Sequence, residues 1–92
     1  MKKHHIIFPQ TTSIENLTGD FDPCYGAILT MDEKVLVARM NWKGQYEAAV
    51  YEFIETPEET GLSWIECRLN LIGIADKTYK DSGNAIAWCM KQ

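Results

Sequence analysis

Gln45-Tyr46-Glu47-Ala48-Ala49-Val50-Tyr51-Glu52-Phe53-Ile54-Glu55 can be read two ways, and the choice decides the fold. At helical spacing, Tyr46, Ala49, Val50, Phe53 and Ile54 fall on one stripe. Glu47, Ala48, Tyr51, Glu52 and Glu55 then share the opposite face. Alanine and glutamate are good helix formers. Read instead with a period of two, the segment puts Glu52 on the same side as Val50 and Ile54, a poorer separation of polar from apolar. The spacing therefore predicts a helix over 45–55 lying across a sheet. The strand reading would give an all-β small barrel.

Downstream, Ser63-Trp64-Ile65-Glu66-Cys67-Arg68-Leu69-Asn70-Leu71-Ile72 alternates. Ile65, Cys67, Leu69 and Leu71 occupy one side, and Glu66, Arg68 and Asn70 the other, as in a strand with one face on a core. Between the two stretches, Thr56-Pro57-Glu58-Glu59 has the form of a capping box with proline at the first helical position. Gly61 limits that helix to about one turn. The competing reading runs one long helix through Leu62, Ile65, Leu69 and Ile72.

Upstream, 24–30 and 34–41 form the best hairpin, rich in strand-type side chains: Tyr25, Ile28, Leu29, Val35, Leu36 and Val37. The turn Met31-Asp32-Glu33 lacks the glycine of a tight two-residue loop, so a longer or bulged loop is expected. Residues 4–8 read as a short strand ended by Pro9. Residues 10–23 read as a loop with a helical turn near Ser13-Ile14-Glu15-Asn16-Leu17, with Ser13 as N-cap. After Asp81-Ser82-Gly83-Asn84, which is turn chemistry, 85–90 reads as a buried strand. A helix capped by Ser82 is the alternative. The sum is an α+β fold: one domain over 1–92, with an antiparallel sheet of about five strands and the 45–55 helix on a face.

Ninety-two residues with 46% hydrophobic and 11% aromatic side chains can build a core. No run approaches the roughly 20 residues of a membrane span. The basic start Met1-Lys2-Lys3-His4-His5 is followed by an apolar run that stops at Phe8-Pro9, short of a signal sequence. Cys24, Cys67 and Cys89 are odd in number and widely spaced. They read as reduced structural thiols of a cytoplasmic protein.

The net charge is -4, and its distribution says more than its sum. No Lys or Arg lies between Lys43 and Arg68, whereas that interval holds Glu47, Glu52, Glu55, Glu58, Glu59 and Glu66. Such a run often only keeps a protein soluble. Here Glu55 would oppose the macrodipole at the end of the expected helix, and no basic residue at i±4 offsets the repulsion. A sequence shaped by stability alone would mix the signs. Tyr51 is expected to point outward among the glutamates, and Trp64 to lie on the polar side of its strand. Both residue types favour interface centres. The expected partner surface is thus Glu47, Tyr51, Glu52, Glu55, Glu58, Glu59 and Trp64.

Other chemistries have thinner support. His4, His5 and the cysteines lack C-x-x-C or H-x₃-H spacing, and adjacent strand histidines face opposite ways, so no metal is expected. No Ser or Cys sits in a glycine-flanked elbow near a base, and no glycine loop cradles phosphate. Neither catalysis nor a cofactor is expected. Arg39 and Lys43 beside Trp42 resemble a sparse single-strand binding set, although the acidic segment would repel phosphate. The run from Asp81 to Cys89 departs from the immunoglobulin pattern, with Ala87 where a tyrosine belongs.

The leading expectation is a non-enzymatic inhibitor presenting carboxylates, in place of phosphates, to a basic nucleic-acid-handling protein such as a nuclease. Phage and mobile-element accessory or toxin-immunity proteins are examples of the class. Reversing Glu52, Glu55, Glu58 and Glu59 to Lys would then abolish binding. The alternative is a nucleic-acid or small-ligand module using Arg39, Lys43 and exposed aromatics. A homodimer is compatible with either.

Overall fold

The computed structural model describes residues 7–20 and 26–92. The elements run β1 (Thr11–Ser13), α1 (Ile14–Asp20), β2 (Gly26–Met31), β3 (Lys34–Met40), β4 (Tyr46–Phe53), α2 (Pro57–Thr60), β5 (Arg68–Ile74) and α3 (Ser82–Met90). Among the described residues the strands form one five-stranded antiparallel sheet in the order β1-β5-β4-β3-β2. The sheet curls into a half-barrel, so the α+β class holds. The curl has a local device in β5. Val50 opposes Gly73 while Tyr51 opposes Leu71, which leaves Ile72 as the extra residue of a bulge.

The 45–55 segment is not the helix on the sheet. Its centre is β4, which lies between β3 and β5 at the middle of the sheet. The reason is burial on both faces. Ala49 and Tyr51 join Val35, Val37 and Leu69 under Phe8, Ile14 and Leu17. Ala48 and Val50 join Leu36 and Ala38 under Ala85, Ile86 and Cys89 of α3. A strand covered on both sides loses its alternation, and its Ala-rich run then mimics a helix stripe. The helices that do cover the sheet's faces are α1, through Ile14 and Leu17, and α3, at the C-terminal end of the described chain. The expected 85–90 strand is therefore also corrected. Asp81, not Ser82, is its N-cap, accepting the Asn84 N–H at 2.7 Å.

Several local readings hold. Ser13 caps α1 through its Oγ, 3.1 Å from the Asn16 nitrogen. The box at α2 closes with the Glu59 carboxylate accepting the Thr56 N–H at 3.4 Å. Gly61 ends it at φ 74°, in the left-handed region. The hairpin of β2 and β3 is present, but its loop is shorter than expected. Met31 pairs with Lys34, leaving only Asp32-Glu33 between. Asp32 takes the positive φ of 57° that glycine would otherwise supply, as aspartate can. The strand expected over 63–72 begins only at Arg68, because 63–66 is a turn. Of its expected inward side, Cys67 and Leu69 are fully buried and Ile65 is exposed. The strand expected over 4–8 lies mostly outside the described residues, as do Cys24 and Tyr25. Cys67 and Cys89 are free and buried.

Candidate functional site

The turns joining β4 to β5 build one end of the molecule. Ile54 donates its N–H to the Arg68 carbonyl at 3.0 Å. Glu55 accepts from both the Arg68 N–H, at 2.9 Å, and the Arg68 Nε, at 3.2 Å. These bonds tie the exit of β4 to the start of β5. Below them Cys67 is buried, its sulfur 3.5 Å from the Ser63 carbonyl and 3.8 Å from the Thr60 hydroxyl. The 63–66 turn is closed by Glu66, whose carboxylate accepts from the Ser63 hydroxyl at 2.5 Å and the Ser63 N–H at 3.1 Å. Those two bonds favour the charged form and hold the Glu66 carboxyl below its usual value. The Glu15 N–H reaches the Ile65 carbonyl at 2.9 Å, so α1 braces the same turn.

This braced end displays an uncommon mixture. Ile54, Leu62, Trp64 and Ile65 are exposed at 51%, 40%, 51% and 37%. The same connection carries exposed Glu58, Glu59 and Glu66, and exposed Glu52 stands at the end of β4 that enters it. Exposed apolar side chains occurring singly mean little, but a cluster of them rimmed by charge marks an interaction surface.

Of the seven residues expected at the partner surface, five lie at this end: Glu52, Glu55, Glu58, Glu59 and Trp64. Two do not serve as expected. Glu47 is buried, accepts the Asn41 amide N–H at 2.8 Å, and stands opposite Arg39 in the β3–β4 register. Tyr51 is fully buried, and its hydroxyl donates to the Pro9 carbonyl at 2.7 Å. Both were placed outside by the helical period and inside by the strand. Glu55 and Glu59 are further occupied by Arg68 and the α2 box. The acidic face is therefore narrower than the sequence suggested. Ile54 and Ile65, which the expected helix and strand turned inward, are exposed at this end with Leu62. The breaks at Pro57 and Gly61, which prevent a continuous buried element there, were the available signal.

Burial pushes the Tyr51 phenol up to about 12. Its unfolded value is near 10, so as pH rises the unfolded chain releases this proton first. The stabilisation is whole below about pH 10 and is lost as pH climbs through about 12, by up to roughly 2–3 kcal/mol. Tyr51→Phe should cost about 1 kcal/mol at neutral pH through the unpaired Pro9 carbonyl, and should lack this alkaline loss. Urea midpoints of both proteins at about pH 9 and about pH 11.5 give the comparison. Burial also raises the Cys89 thiol, which acts in the same direction in both proteins and so cancels.

Among the described residues, no three His, Cys, Asp or Glu side chains converge to hold a metal ion. None of the described helices is long and apolar enough to cross a membrane. The family model described as nucleotide modification associated domain 4 matches residues 8–92. No curated protein and no solved structure matches the chain.

Proposed function

The chain belongs to the nucleotide modification associated domain 4 family, and from that premise we propose that it is a non-enzymatic module that docks its acidic, apolar end onto a basic nucleic-acid-handling protein. One observation carries this reading: the β4–β5 connection leaves Trp64 half-exposed together with Ile54, Leu62 and Ile65, and the same connection carries exposed Glu58, Glu59 and Glu66. Tryptophan at the centre of such a patch is the usual anchor of a protein interface. The carboxylates fit a partner whose own surface evolved to meet phosphate. In a phage or mobile element, occupying that surface would inhibit the partner.

The test is capture by the tagged protein from nuclease-treated lysate of its own host, at low and high salt. A basic protein that is retained at low salt and released at high salt is expected. That protein must then bind the purified chain directly, and less well when Trp64 is changed to Ala. Failure to find a protein whose binding depends on Trp64 would reject the reading.

A further inference from the structure

The opposite end of the sheet carries a second exposed tryptophan in a different setting. Trp42 sits in the β3–β4 turn and is 73% exposed. The turn beneath it is rigid. Asn41 is buried, and its Oδ1 accepts from the Lys43 N–H at 2.9 Å and the Gln45 N–H at 3.1 Å. Its amide N–H goes to Glu47 at 2.8 Å, its backbone N–H to the Gln45 carbonyl at 2.7 Å. Gly44 completes the turn at φ 79°. The indole is thus presented on a fixed mount at little cost in ordering.

Its neighbours are cationic. The backbone pair Tyr46–Tyr79, at 2.7 and 2.8 Å, and the bond from the Thr78 hydroxyl to the Gln45 side chain, at 2.8 Å, lay 76–80 alongside the turn. That brings the segment carrying exposed Lys77 and Lys80 alongside the turn that carries exposed Lys43. Lys77 Nζ lies 5.5 Å from the centre of the Tyr79 ring. The acidic neighbours are exposed Asp76, Asp81, whose carboxylate is turned onto the Asn84 N–H and amide of α3, and buried Glu47. Along the turn Trp42 is followed by Lys43, Gly44 and Gln45, all exposed and none of them apolar. A protein-docking tryptophan has apolar company, as Trp64 does. A lone exposed indole among lysines suits a flat aromatic ligand attached to an anion.

We infer that the Trp42 turn, with Lys43, Lys77 and Lys80, binds single-stranded nucleic acid by stacking Trp42 on an unpaired base while the lysines meet phosphates. The acidic end does not forbid it. Glu52 and the glutamates of the β4–β5 connection lie at or beyond the other ends of strands seven and eight residues long, roughly 20 Å away at about 3.3 Å per residue. That is about two to three Debye lengths at physiological salt. Of the nearer carboxylates, Asp81 caps α3 and Glu47 is buried on Asn41. The site is independent of the protein-docking end.

The experiment is fluorescence anisotropy of labelled single-stranded DNA and RNA oligonucleotides titrated with the full chain. Binding is expected at low salt. It should weaken with salt at a log–log slope of about −2, from three lysine contacts at about 0.7 each. Trp42→Ala should weaken binding about tenfold or more, as loss of one base stack does, with an unchanged urea midpoint. Trp64→Ala should leave it as it was. Preference for DNA or for RNA would identify which strand the site serves. No binding to either oligonucleotide, an unaffected Trp42→Ala, or equal loss in Trp64→Ala would overturn the inference. So would loss by Trp42→Ala of a partner protein captured after nuclease treatment, which would make the turn a protein contact.

Discussion

Leu36→Ala is expected to lower the free energy of unfolding by about 2–5 kcal/mol, toward the upper part of that range. Leu36 is fully buried in β3 and packs under α3 with Val50, Ala38, Ala48, Ala85, Ile86 and Cys89. Three of those neighbours are alanines, which have no reach to close the space a removed isobutyl group would leave. The lining relaxes little, and the cavity term stays nearly whole. For a domain whose total stability is about 5–15 kcal/mol, this is a large fraction. Met90→Ala, at the exposed end of the same helix, should change stability by less than about 0.5 kcal/mol. Urea unfolding followed by circular dichroism measures both. A loss below about 1 kcal/mol for Leu36→Ala would mean that α3 does not seal this face.

Trp64→Ala is expected to weaken the captured partner by about 30-fold or more, since anchoring aromatics carry 2 kcal/mol or more. Glu52→Lys with Glu58→Lys should act differently. These carboxylates are exposed, and the structure gives neither the tie to Arg68 that Glu55 has nor the cap of Glu59. Their reversal should slow association and cost about tenfold at low salt, with the difference fading as salt is raised. Reversing Glu55 and Glu59 as well would disturb the turns, so a loss in that variant would not separate binding from folding. Association and dissociation rates at two salt concentrations decide the matter. A salt-independent loss in Glu52→Lys with Glu58→Lys, or no loss in Trp64→Ala, would remove the acidic end as the docking surface.

Features under local chemical control can be read from the residues alone. Ser13, the Thr56 box, Gly61 and the Asp32-Glu33 turn position are each set by a few neighbouring atoms, and each is where the residues indicated. The β2–β3 hairpin was legible from its strand-type side chains, and the buried side of Cys67 and Leu69 from the alternation there. Trp64 is exposed as the residues indicated, although it stands in a turn and not on the polar side of a strand. Which segments are covered on both faces depends on long-range packing. β4 is buried by α1 and Phe8 on one face and by α3 on the other. Its period vanished, and with it the true positions of Glu47 and Tyr51. Nine residues of α3 are too few to show a helical stripe clearly, and only the flat floor of Ala38 and Ala48 gives that helix somewhere to lie. The separation of the acidic end from the Trp42 turn follows from the same cause. Residues close in sequence, such as Lys43 and Glu52, are sent to opposite ends by the straight run of a central strand.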